Sequence, residues 1–277
     1  MPKRITAPKI GVFDSGIGGL SVLREVHRLL PDHPTVFVAD QIHLPYGPRP
    51  VAEIRQYVQA VTHFLIGQGC AVIVLACNTA SAAALYFLRD QFPGLPIVGM
   101  EPAVKPAAER SRSGVIGVLS TQATADGELY RRVRERHAAR TQVITVVAPE
   151  LVRIAEEQSQ QTPASQSIIA DYLRPFIQAK ADEIVLACTH FPFIAGAIQD
   201  QLGPDVHLID PAPAVARQVA RVWPADLHPS PEPARCFTTA SPERLRAMLH
   251  RLLGIIAPVH ALSWSADETT LITPPSP

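Results

Sequence analysis

The chain has no net charge, no C-x-x-C pair, no long apolar run, and only four cysteines in 277 residues. Each absence removes a class of function. Scattered thiols (Cys70, Cys77, Cys188, Cys236) do not describe a disulfide framework, and simple thiols in a reducing compartment are the plainest reading. The longest apolar runs, such as "CAVIVLAC", fall far short of the roughly 20 residues that a membrane helix needs. The start, "MPKRITAPKIGVF", has basic residues but no apolar signal core leading to a small-residue cleavage site. The expectation is a cytoplasmic protein with no membrane partner. Lys+Arg and Asp+Glu balance at 25 each, so no electrostatic argument points to nucleic acid.

What is present is alternation. Short apolar runs ("KIGVF", "TVFVAD", "CAVIVLAC", "LPIVGM", "GVIGVLS", "QVITVVA", "DEIVLAC", "VHLID") are separated for the most part by segments with helical spacing. Leu20, Leu23, Val26 and Leu30 share one helix face, and a second helical stretch runs from about Val51 to Gly67. The apolar run at residues 70–77, and that at 182–188 once past Asp182 and Glu183, suit strands buried on both faces of a parallel sheet. The fold class is therefore α/β with parallel sheets.

One phrase occurs twice, about a domain length apart: "VLACNT" with Cys77 and "VLACTH" with Cys188. Two similar parallel-sheet α/β domains, each ending a strand in a cysteine, are expected, with the active site in the cleft between them. The boundaries are 1–100 plus 210–256 for a discontinuous domain carrying Cys77, and 101–209 for one carrying Cys188. A helix over 241–254, with Ser241 as N-cap and Pro242 following, closes the first. Residues 257–277 are expected to form a disordered tail.

Both cysteines precede groups suited to starting a helix, where a thiol meets free N–H groups and the helix dipole. A lone buried cysteine is usually a small hydrophobe, and Cys70 and Cys236 fit that description. A matched pair asks for a shared task. Zinc with His190 as a further ligand lacks a zinc spacing and a second cluster, so no metal is expected. A cysteine hydrolase using His190 needs only one thiol. A pair of acid/base groups on opposite faces of one carbon uses both. A binding protein with unreactive thiols is the remaining alternative.

"FDSGIGGLSVL" places Asp14 and Ser15 at a strand's end, as a turn and helix cap or as polar groups facing a ligand. Its glycines lack the last position of G-x-G-x-x-G and the lysine of a P-loop, although Asp40 ends the next strand as a ribose-binding acid would. "PYGPRP" puts Tyr46 and Gly47 in a loop that is either a plain turn or a lip over the cleft. Thr121 follows another strand, where capping is its ordinary role.

Together "FDSGIGGLSVL", "AD…PYG", "ACNTAS", "ACTHFP" and "IDPAPAVARQV" resemble, in order, the motifs of the glutamate racemases, within the cofactor-independent aspartate/glutamate racemase superfamily. The resemblance covers residues 9–254. It implies an isomerase without cofactor that interconverts L- and D-glutamate by a two-base mechanism and supplies D-glutamate to peptidoglycan. Aspartate or another amino acid is the alternative substrate. Cys77 would deprotonate D-glutamate and Cys188 L-glutamate, assisted by Asp14 and His190. Substrate binding would fall to Asp14, Ser15, Tyr46, Gly47, Asn78, Thr79, Thr121, Thr189 and His190, with Asp40 and Glu156 as auxiliaries. A homodimer or monomer–dimer exchange is also implied. The chain departs from the family's C-P-x-x-V-P-x-x-E run, having Ala148 and Arg153 in "APELVRIAEE", so Glu150, Glu156 and Glu157 compete for the glutamate's place.

Overall fold

The computed structural model describes residues 7–273. Twelve strands follow in chain order: β1 (Lys9–Asp14), β2 (Thr35–Ala39), β3 (Cys70–Leu75), β4 (Ile97–Gly99), β5 (Val115–Ser120), β6 (Gln142–Val147), β7 (Glu183–Ala187), β8 (His207–Ile209), β9 (Arg235–Thr238), β10 (Val259–Ala261), β11 (Ser263–Trp264) and β12 (Leu271–Ile272). They build two parallel sheets, ordered β10-β9-β2-β1-β3-β4 and β6-β5-β7-β8, and a small antiparallel hairpin of β11 and β12.

The first sheet is covered on both faces, and the period-two alternation of each strand decides which residue goes where. Val72, Val74 and Ala76 point into the layer with α1 (Leu20–Leu29) and the helices Ala212–Val222 and Pro242–Leu253. Ile73, Leu75 and Cys77 point the other way, towards α2 (Val51–Gly67) and α3 (Asn78–Gln91). The second sheet repeats the scheme. Ile184, Leu186 and Cys188 share one face, and Val185 and Ala187 the other. Each fully buried Val, Leu or Ile contributes about 1.5–3 kcal/mol through desolvation, so a register slip in either strand is strongly disfavoured. That alternation is what aims the two thiols.

Ser241 caps the helix Pro242–Leu253 by accepting the Arg244 N–H at 3.2 Å, and Gly254 ends it at φ +66. The expected disordered tail is corrected. Residues 259–261 add an edge strand to the first sheet, and β11 and β12 follow as a hairpin. Leu262 and Leu271 are buried, so this segment has enough apolar anchors to stay in place. The last four residues of that expectation, 274–277, lie outside the described ones. Among the described residues, no helix is long and apolar enough to cross a membrane.

Candidate active site

A cavity of about 320 Å³ opens beyond the carboxyl ends of the strands and draws its walls from both sheets. Ser15, Tyr46, Gly47, Cys77, Asn78 and Thr79 come from the first; Thr121, Cys188, Thr189 and His190 come from the second. Both thiols therefore face one space. Leu44, Pro45, Pro48, Val147, Pro149 and Val152 complete an apolar wall that motif reading did not anticipate. Two of those prolines stand inside "PYGPRP" and its neighbourhood, which was the available signal.

The two cysteines are not equivalent. Cys77 is the N-cap of α3, and its Sγ accepts the Ala80 N–H at 3.4 Å while Ser15 Oγ lies 3.6 Å away. Burial pushes its thiol strongly upward, and the nearby Asp14 carboxylate adds to the effect; the Ala80 and Ser15 contacts oppose it. Cys188 does not start an α-helix, contrary to expectation. A turn and a 3₁₀ segment, Phe191–Ile194, separate it from the next helix, because the chain tightens there into i→i+3 bonds, Phe191 N–H to the Cys188 carbonyl and Phe193 N–H to the His190 carbonyl, both at 3.1 Å. Its neighbour is instead a side chain: Cys188 Sγ stands 3.8 Å from His190 Nδ1.

His190 is almost wholly buried, and its other ring nitrogen, Nε2, stands 2.8 Å from Glu156 Oε1. Burial works against an imidazolium, yet contacts with Cys188 and Glu156 prevail and hold its pKa well above the ordinary histidine value. Burial likewise works against the Glu156 carboxylate, but His190, the Ile17 N–H at 2.9 Å and Arg244 keep its pKa below the usual range. Glu156 is thus the buried glutamate of the run. Glu150 accepts from the Tyr172 hydroxyl, and Glu157 pairs with exposed Arg153 at 2.6 Å. Ala148 is buried and Arg153 points outward, so these departures from the motif leave the cavity's polar set untouched.

The glycine loop is explained by close approach rather than by phosphate. A Cβ on Gly16 would lie 2.4 Å from Glu156 Oε1, and one on Gly18 only 2.4 Å from Thr189 Oγ1 and 2.6 Å from His190 Nδ1. Only hydrogen at these positions lets the first domain's loop seat the second domain's histidine.

Asp14 does not line the cavity. It is fully buried behind it, accepting the Gly19 N–H at 2.7 Å, with Oδ1 unpartnered; burial raises its pKa, and His190 moderates that rise. Asp40 is also behind the wall, reached through Tyr46, whose hydroxyl donates to Oδ2 at 2.7 Å. Thr79 and Thr121 bridge the two domains, hydroxyl to hydroxyl, at 2.9 Å. Both polar atoms of the Asn78 side chain are buried and unpartnered, a costly state that a bound polar ligand would relieve. Among the described residues, no group of three or more His, Cys, Asp or Glu side chains is arranged to hold a metal ion.

The Asp/Glu/Hydantoin racemase family model matches residues 10–219. The glutamate racemase of Roseiflexus sp. (strain RS-1) is 44% identical over 252 residues, covering 89% of this chain and 93% of that protein. Glutamate racemase isoform RacE1 from Bacillus anthracis superposes with a TM-score of 0.84 at 30% identity, over 92% of this chain and 97% of that one. The Escherichia coli glutamate racemase, solved with L-glutamate and the activator UDP-MurNAc-ala, gives 0.82 at 32% identity, over 93% and 99%.

Proposed function

The chain belongs to the Asp/Glu/hydantoin racemase family, and from that premise we propose that it is a glutamate racemase, using Cys77 and Cys188 as its two bases. The observation that carries this is the convergence of both thiols, each at the end of a strand in a different sheet, on one cavity. Inversion at a carbon requires a base on one face and an acid on the other, and two sheets supply the two faces.

In the L-to-D direction the Cys188 thiolate takes the α-proton of L-glutamate, and the Cys77 thiol delivers its own proton to the opposite face. The products are D-glutamate, a Cys188 thiol and a Cys77 thiolate, and the reverse reaction exchanges the roles. The resting charges suit this division. The His190 imidazolium, backed by Glu156, stands beside Cys188, whereas burial and Asp14 keep Cys77 protonated. Negative charge builds up on the α-carboxylate as the proton leaves. Asn78, Thr189 and Ser15 are side-chain donors around the cavity that would hold it, and Thr79 and Thr121, whose hydroxyls run in a chain on to Thr124 Oγ1, would turn to join them when substrate binds. Asp14 acts from behind Cys77, and Asp40 through Tyr46.

Supply of D-glutamate to peptidoglycan, a cytoplasmic setting and a homodimer belong to the same proposal. The purified protein, incubated with L-glutamate and separately with L-aspartate and resolved by chiral chromatography, should convert glutamate to an equal mixture and leave aspartate largely unchanged. Conversion of aspartate alone would replace the substrate; conversion of neither would refute the activity.

A further inference from the structure

The C-terminal hairpin is fastened to the back of the active-site lip. Trp264 Nε1–H donates to Asp40 Oδ1 at 2.8 Å, and Thr239 Oγ1 donates to the same oxygen at 2.9 Å. Asp40 Oδ2 takes the Tyr46 hydroxyl at 2.7 Å and faces His43 Nδ1 at 2.8 Å. Four partners occupy the carboxylate fully, leaving it no capacity for substrate. The far side of His43 is held by the same hairpin, since Nε2 stands 3.3 Å from Glu268 Oε1 and Tyr57 donates to Glu268 Oε2 at 3.0 Å. His43 stacks on Tyr57 with ring centres 4.0 Å apart and nearly parallel planes, while Trp264 packs against both rings.

Two facts argue that Glu268 does more than fill a turn. Its φ is +53, a region that a glutamate adopts only at a cost and that glycine or asparagine adopts readily. Its carboxylate reaches buried His43 and Tyr57, 225 and 211 residues earlier in the chain, and Gln56 Nε2 clasps its backbone carbonyl at 3.0 Å. The loop Leu44–Pro48, which forms one wall of the cavity, has Tyr46 as its inward anchor.

We propose that Trp264 and Glu268 are positioning residues of the active site, which hold Asp40 and His43 so that Tyr46 and the Leu44–Pro48 lip keep the shape that receives the substrate. The inference rests on the racemase reading. The lip carries neither thiol, so loosening it weakens substrate binding before it slows proton transfer.

The test is steady-state racemisation by Glu268→Gly, Glu268→Gln and Trp264→Phe beside the unaltered protein, with thermal unfolding of each. Glu268→Gly relieves the backbone cost while removing the carboxylate. It should melt within a few degrees of the parent yet show a KM for both enantiomers raised about threefold or more, with kcat nearly unchanged. Trp264→Phe, which keeps an aromatic ring but loses the donor, should do the same. Glu268→Gln, which keeps an acceptor, should recover most of the parent KM. Unchanged KM in both Glu268→Gly and Trp264→Phe would overturn the inference and leave the hairpin a structural strap. An inactive parent protein would instead refute the racemase reading, so the two failures are distinct.

Discussion

Cys188 Sγ lies 3.8 Å from His190 Nδ1, and this contact gives one of two like-named cysteines a cationic neighbour that the other lacks. Cys77 has a hydroxyl and a backbone N–H instead. The repeated motif therefore encodes two matched positions with different electrostatic surroundings.

That asymmetry predicts reactivity. At neutral pH iodoacetamide should label Cys188, beside the His190 imidazolium, before Cys77, whose thiol burial and Asp14 push strongly upward; Cys70 and Cys236, buried away from the cavity, should label last for want of access. Replacing His190 by Asn should slow labelling of Cys188 by about tenfold or more and leave Cys77 little changed. Peptide mapping by mass spectrometry reads this directly. Equal rates at the two cavity thiols would contradict the division of charge.

The Glu156–His190 pair predicts a pH window for stability. Glu156, held below its ordinary 4.5, contributes stability that is present above that value and lost as the pH falls through its lowered folded pKa. His190, raised above its ordinary 6.5, contributes stability that is full below that value and lost as the pH rises through its raised folded pKa. Urea unfolding of Glu156→Gln should show a deficit of about 1–3 kcal/mol between pH 5 and 6. The deficit should shrink on both sides of that window. A deficit constant from pH 4 to 9 would mean that the carboxylate's role is packing alone.

The glycine loop predicts a contrast between two alanine substitutions. Gly18→Ala places a methyl group 2.4 Å from Thr189 Oγ1 and should cost about 1–3 kcal/mol while reducing turnover severely. Gly196, within the helix Ala195–Leu202, has nothing within 4 Å of the same position. Alanine there should add about 0.5–1 kcal/mol and leave turnover intact. Thermal unfolding and a chiral assay on the two variants check both halves. A tolerated Gly18→Ala would show that the loop has room to move away from His190.

Much of this was legible in the chain because it is local. The apolar runs carry their own period, and a cysteine that ends such a run points wherever the strand's alternation sends it, as Leu75 and Cys77 or Leu186 and Cys188 illustrate. Glu156 could have been chosen over its neighbours by helix phase. It lies four residues after buried Val152 in the helix Pro149–Glu157, whereas Glu150 and Glu157 fall on the outer face. What was not legible depends on contacts distant in sequence. Two-residue strands such as β11 and β12 have no period to read, and Trp264 finds Asp40 only once the chain is folded. The helix expected at Cys188 also failed for a local reason: the chain tightens at once into i→i+3 bonding, the Phe191 N–H donating to the Cys188 carbonyl at 3.1 Å, so the thiol has the His190 side chain beside it where Cys77 has a helix N-terminus.

Two thiols on opposite faces of one carbon would exchange its proton with solvent as they invert it. Purified protein with L-glutamate in D₂O, free of added metal and cofactor, tests this through product chirality and Cα deuterium followed together. The expected result is D-glutamate deuterated at Cα with little early label in the remaining L-glutamate, and loss of inversion by about 10²–10⁴-fold in either Cys77→Ala or Cys188→Ala. Deuterium entering L-glutamate as fast as D-glutamate forms, or near-full turnover in either variant, would contradict it.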